Sequence, residues 1–130
     1  MRQARNPSSI HPPVAAYSHH VEVAGPARWL VVSGQLGRTV DGEVPNDLTE
    51  QLSIALGNIT ANLAAANMTI ANVIKITIYL AGDADPARRR EVIADWLGNN
   101  RPTMTLVRVL ELASPEYKVE VEAWAADDTL

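Results

Sequence analysis

Glu120 and Glu122 stand two residues apart in Val119-Glu120-Val121-Glu122-Ala123, so in an extended strand both carboxylates leave one face. A carboxylate held in a partly closed cleft can take a proton from water and hand it to a leaving group. Other side chains could join such chemistry. Tyr17 carries a phenol that can line a cleft and donate to a ligand, or simply pack. Ser33-Gly34 suits a tight turn, but no activating base accompanies the serine, which argues against a nucleophile. His19 and His20 are neighbours and would point to opposite strand faces, so they do not share one metal ion. With no cysteine and only His11 besides, no metal site and no cofactor are expected. Arg88-Arg89-Arg90 is a basic run with Glu91 next and no aromatic stacking platform, which reads as a solvated helix face rather than an RNA grip.

The elements that must position these residues alternate between strand and helix patterns in an α+β manner. Val14–Val23 and Trp29–Ser33 are extended runs around the Gly25-Pro26 turn, and predict a hairpin. Asp47 with Glu50 three residues on starts a first helix. Its stripe of Leu48, Leu52, Ala55, Leu56, Ile59, Leu63 and Ala66 runs to a left-handed stop at Asn67. Val73–Leu80 alternates as a strand. Asp85-Pro86 opens a second helix that Gly98 closes, with Val92, Ile93, Trp96 and Leu97 inward. Thr103–Leu110 and Lys118–Ala125 are the last strands. Val119, Val121, Ala123 and Ala125 form a small apolar face for packing on the helices, and Glu120, Glu122 and Trp124 take the other face. Parity along Thr103–Leu110 puts Met104, Leu106 and Arg108 beside Glu120, away from the helices. A helix-free face that mixes Leu106, Trp124 and Tyr79 with charges suits an oligomer that closes over it.

The 130 residues fit one domain over 1–130, with 1–12 a loosely ordered lead-in. An apolar content of 47% is enough for a core and too high for a disordered chain. A formal net charge of -4 argues against a protein built to grip phosphate backbones. The absence of cysteine fits a cytoplasmic setting. No apolar run approaches the roughly 18 residues of a membrane span, and no secretory signal follows Met1-Arg2-Gln3-Ala4-Arg5.

Several segments, in order and at matching spacing, resemble the RidA/YjgF family. Ala16-Tyr17-Ser18-His19 is similar to its Gly-Pro-Tyr-Ser-Gln stretch, and Val32-Ser33-Gly34-Gln35 to its Ser-Gly-Gln motif. Ala55-Leu56-Gly57-Asn58-Ile59, Val73–Leu80 and Val119-Glu120-Val121-Glu122-Ala123 resemble its helix, its central strand and its Val-Glu-Ile-Glu-Ala ending. The resemblance covers about residues 13–125. It implies a chorismate-mutase-like α+β fold, a mixed sheet with two helices on one face. It also implies a homotrimer with small-molecule clefts between subunits, and hydrolysis of reactive imines or enamines such as 2-aminoacrylate. Glu120 then becomes the candidate acid/base. Tyr17, Ser33, Gly34, Met104, Thr105, Arg101 and His19 become candidate ligand contacts.

The departure lies in Arg101-Pro102-Thr103-Met104-Thr105. In the family's Pro-Ala-Arg-Ser/Thr motif the arginine grips the substrate carboxylate, and here Met104 holds that position. A guanidinium offers two parallel donors to a carboxylate, whereas a thioether offers neither charge nor donor. Arg108 lies four residues along, roughly 13 Å away at strand rise, and Arg101 precedes a turn. Efficient 2-aminoacrylate turnover is therefore not expected. Imine or enamine hydrolysis or isomerisation on another substrate is the leading expectation. A non-enzymatic metabolite-binding or regulatory trimer is the alternative, and the endoribonuclease label attached to the family is a minor one.

Overall fold

The computed structural model describes residues 1–129. Six strands and two helices follow in the order β1 (Arg2–Arg5), β2 (His20–Val23), β3 (Arg28–Leu36), α1 (Leu48–Ala65), β4 (Val73–Leu80), α2 (Pro86–Leu97), β5 (Thr103–Arg108) and β6 (Val119–Asp127). The main sheet runs β3-β6-β4-β5. Its β4–β5 pair is parallel and its other pairs are antiparallel.

Helix α1 begins where its sequence asks it to. The Asp47 carboxylate accepts from the Glu50 N–H at 3.1 Å, a cap that contributes about 1 kcal/mol. Leu52, Leu56, Ile59 and Leu63 are buried against the sheet, each adding about 1.5–3 kcal/mol of apolar transfer. Asn67 takes the left-handed conformation beyond its end. Gln51, fully buried, is the polar pin of this layer. Its amide donates to the carbonyls of Pro45 and Glu116 and accepts from the Lys118 N–H. Gly37 makes that approach possible, because a methyl there would stand 2.6 Å from the Gln51 Cα. Helix α2 starts with Asp85 accepting from the Ala87 N–H at 2.9 Å and Pro86 in its first turn. Both helices cover one face of the sheet, the face of Val119, Val121, Ala123 and Ala125.

Two expectations are corrected. The run from Val14 to Val23 does not pair with β3. Only His20–Val23 is a strand, and its partner is β1, so residues 2–5 are held in a ladder rather than loose. Nothing in Arg2-Gln3-Ala4-Arg5 alternates in hydropathy, so its pairing left no pattern to find. The second correction is the face of β5. Parallel pairing sets Met104 opposite Ile76 and Leu106 opposite Ile78. Both isoleucines are in the core beneath the helices. Met104 and Leu106 therefore face the helices, and Thr103, Thr105 and Val107 share the open face with Glu120 and Glu122. The alternative register would have buried two threonine hydroxyls and exposed two large apolar side chains.

Candidate functional site

The sequence-selected residues fall into two groups on opposite sides of the sheet. The first surrounds Glu120 on the helix-free face. Glu120, in β6, pairs with Leu36 of β3 on one side and with Tyr79 of β4 on the other. The β3–β6 ladder shifts register between Val32 and Gln35, so Ser33 and Gly34 form a bulge. The Glu120 carboxylate rests on that bulge. A methyl added to Gly34 would collide with it and would stand 2.8 Å from its Cγ. Glycine is thus the residue that lets the acid lie flat over the backbone. Thr105 belongs to the same face two strands away.

Glu122, the neighbouring acid, is engaged. The Tyr79 hydroxyl donates to its Oε1 at 2.8 Å. That bond, with burial and the charges of Glu122 and Glu120, pushes the Tyr79 phenol above its ordinary value of 10.0. Among the described residues the Glu120 carboxylate has no hydrogen-bond or ion-pair partner, which distinguishes it from that of Glu122 as the acid available to a ligand.

The second group lies at the free edge of β5. Tyr17, Met104 and Leu106 line a cleft of about 500 Å³ with Val14–Ala16 and the Arg89, Arg90, Ile93 and Ala94 side of α2. That volume is in the range of small-molecule sites. The Ser18 N–H donates to the Pro102 carbonyl at 3.0 Å and ties this segment to the start of β5. The Tyr17 hydroxyl accepts a long bond from the Val14 N–H at 3.3 Å, which leaves its own proton free to donate. His19 packs edge-on to Tyr17 and His11. Its Nε2 lies 2.7 Å from the His11 carbonyl. A carbonyl can only accept, so that nitrogen carries the proton. His19 therefore stands behind Tyr17 and anchors the preceding loop.

Arg101 joins neither group. Its guanidinium donates to the carbonyls of Gly98 and Asn100 at 2.8 Å and finishes the end of α2. Arg108 is paired with Asp83. Neither supplies charge beside Met104. Residues of α2 do line that cleft, and treating Arg88–Arg90 as one solvated run missed them. The signal was present: counted from the Asp85 cap, Arg89 and Arg90 sit one turn before Ile93 and Ala94. Among the described residues no group of three or more His, Cys, Asp or Glu is placed to hold a metal ion. No helix among them is long and apolar enough to cross a membrane.

Two helices on one face of a mixed sheet, with the opposite face open, define an α+β protein, and its structural neighbours are folds of the YjgF/RidA family. The Endoribonuclease L-PSP family matches residues 8–127. The chain belongs to this family, the RidA/YjgF family. It is 33% identical over 117 residues to a RutC family protein of Pyrococcus horikoshii, covering 87% of this chain and 88% of the relative. It is 30% identical over 127 residues to the 2-iminobutanoate/2-iminopropanoate deaminase of Rattus norvegicus, covering 96% and 90%. Among solved structures, the Rid-family protein YyfB of Yersinia pestis superposes with a TM-score of 0.82 at 30% identity, over 95% of this chain and 97% of that one.

Proposed function

We propose that the chain is one domain that assembles with copies of itself, as a trimer on the family resemblance, and binds small molecules in clefts between copies. Its expected compartment is the cytoplasm. The supporting observation is the division of the candidate site between two sheet faces. Glu120 lies on the open face and the Met104 cleft on the helix side, so a site that uses both must draw them from different copies. The open face also carries Trp29, Val31 and Trp124, which are 53%, 60% and 45% exposed in the lone chain, an apolar surface that a second copy would cover.

The proposed chemistry is hydrolysis or isomerisation of an imine or enamine, the class that includes the substrate named for the rat relative. In hydrolysis, water adds to the carbon of C=N while Glu120 takes its proton. That proton goes to nitrogen, giving a carbinolamine; its hydroxyl proton then moves to nitrogen through the same carboxylate as the C–N bond breaks, and a carbonyl compound and ammonia leave. Ser33, Gly34 and Thr105 would contact the ligand from the open face, and Tyr17, with His19 behind it, from the edge cleft. Met104 brings no charge to the substrate. Losing one preorganised charge-stabilising donor costs about 10²–10³ in rate, so small α-imino acids should be poor substrates. A wholly non-catalytic binding trimer is the second reading, favoured by that same uncharged Met104. Glu120→Ala separates the two. Loss of C=N hydrolysis with ligand binding retained supports the catalytic reading, and unchanged hydrolysis removes Glu120 from it.

A further inference from the structure

Among the described residues, Arg89 and Arg90 are the arginines whose guanidiniums have no partner. Every other arginine holds a side-chain hydrogen bond or ion pair. Their own neighbour Arg88 pairs with Asp47 at 3.5 Å, at the start of α1. Among the described residues Arg89 and Arg90 have no carboxylate within ion-pair distance and make no side-chain hydrogen bond. Both line the edge cleft. Helical spacing explains the split. Arg89 is in the row of Ile93 and Arg90 in the row of Ala94, and those two residues line the same cleft. Arg88 is in the row of Val92 and Trp96, which line a different depression, against α1.

The cleft is therefore polarised. Its β5 floor offers the thioether of Met104 and the side chain of Leu106, with no donor. Its α2 wall offers two guanidiniums free to bond an acceptor. A small carboxylate alone would satisfy the wall and leave the floor in water. A neutral apolar molecule would do the reverse.

We infer that this cleft binds a carboxylate with an apolar tail, the head held by Arg89 and Arg90 and the tail lying on Met104 and Leu106. The charge that is missing from the strand is supplied from the helix, displaced so that a longer ligand fits. The inference rests on the proposal that the Tyr17–Met104 cleft takes a small molecule, and not on any role of Glu120.

Equilibrium titration of the whole protein tests it, with octanoate, acetate and octanol as probes. Octanoate should bind measurably more tightly than either of the others. The double variant Arg89→Gln/Arg90→Gln should weaken octanoate binding about tenfold or more, as loss of charged hydrogen bonds implies. Arg88→Gln removes one of the same helix's charges outside the cleft and should leave octanoate binding within about twofold, well under the 1.4 kcal/mol that a tenfold change represents. Octanol binding as tightly as octanoate, equal loss in the Arg88 variant, unchanged binding in the double variant, or no octanoate binding by the wild type would each overturn the inference. The readout is binding alone. A protein that binds octanoate yet hydrolyses no C=N bond contradicts only the catalytic reading, and one that hydrolyses but ignores octanoate contradicts only this one.

Discussion

At the scale of single residues, the candidate site depends on one acid and one glycine. Gly34 has no side chain, so the Glu120 carboxylate can lie on the β3 bulge. The clash produced by a methyl there falls on the carboxyl end of a flexible side chain. Gly34→Ala should therefore swing Glu120 away and leave the fold standing. The expected result is a loss of C=N hydrolysis approaching that of Glu120→Ala, with thermal unfolding shifted by only a few degrees, as for a change of about 1 kcal/mol or less. Collapse of the fold would show that the bulge, not the acid, is what the glycine serves. Glu120 as a candidate was legible from its place in Val119–Ala123, and the bulge beneath it was not. Ser33-Gly34 reads equally well as a turn, and only the ladder with β6 makes it an irregularity within a strand. Arg89 and Arg90 show the opposite failure. Their identity drew attention as a charge run, while their direction followed from helical phase that was already fixed by Asp85 and Pro86.

At the scale of elements, the helices were easy to read because their signals are local. Asp47 and Asp85 mark the starts through their capping carboxylates, and Asn67 and Gly98 mark the ends through positive-φ backbone. The face of β5 was not local. Its alternation of threonines with Met104 and Leu106 fits either face until Ile76 and Ile78 of β4 select one. The β4–β6 pairing also yields a pH prediction. The Tyr79–Glu122 bond across these strands holds the phenol proton above its ordinary value of 10.0. The folded protein then keeps that proton to higher pH than the unfolded chain does. The stability this contributes is fully present below the unfolded phenol value and is lost as pH rises through the folded one. In an ultraviolet phenolate titration Tyr79 should ionise above that value, and Glu122→Gln should bring it down. An unmoved Tyr79 in that variant would mean that burial, not the bond, sets its titration.

At the scale of the whole molecule, the sheet has one face filled by helices and one face in want of cover. Trp29, Val31 and Trp124 on the open face should be buried by neighbouring copies. Trp124→Glu should shift sedimentation toward the monomer while the α1–sheet core remains folded. A wild type that sediments as a monomer would remove the composite site altogether. On the proposed reading, Glu120 from one copy would meet the Met104 cleft of another, where residue 104 would bring no charge to a substrate carboxylate. The most direct measurement of that account is 2-aminoacrylate hydrolysis by the wild type and by Met104→Arg. The expected result is little turnover in the wild type and a gain on the order of tenfold or more in the variant, abolished again by adding Glu120→Ala. Robust wild-type turnover would contradict the weight placed on the missing charge, and no gain in Met104→Arg would show that more of the cleft than residue 104 has diverged.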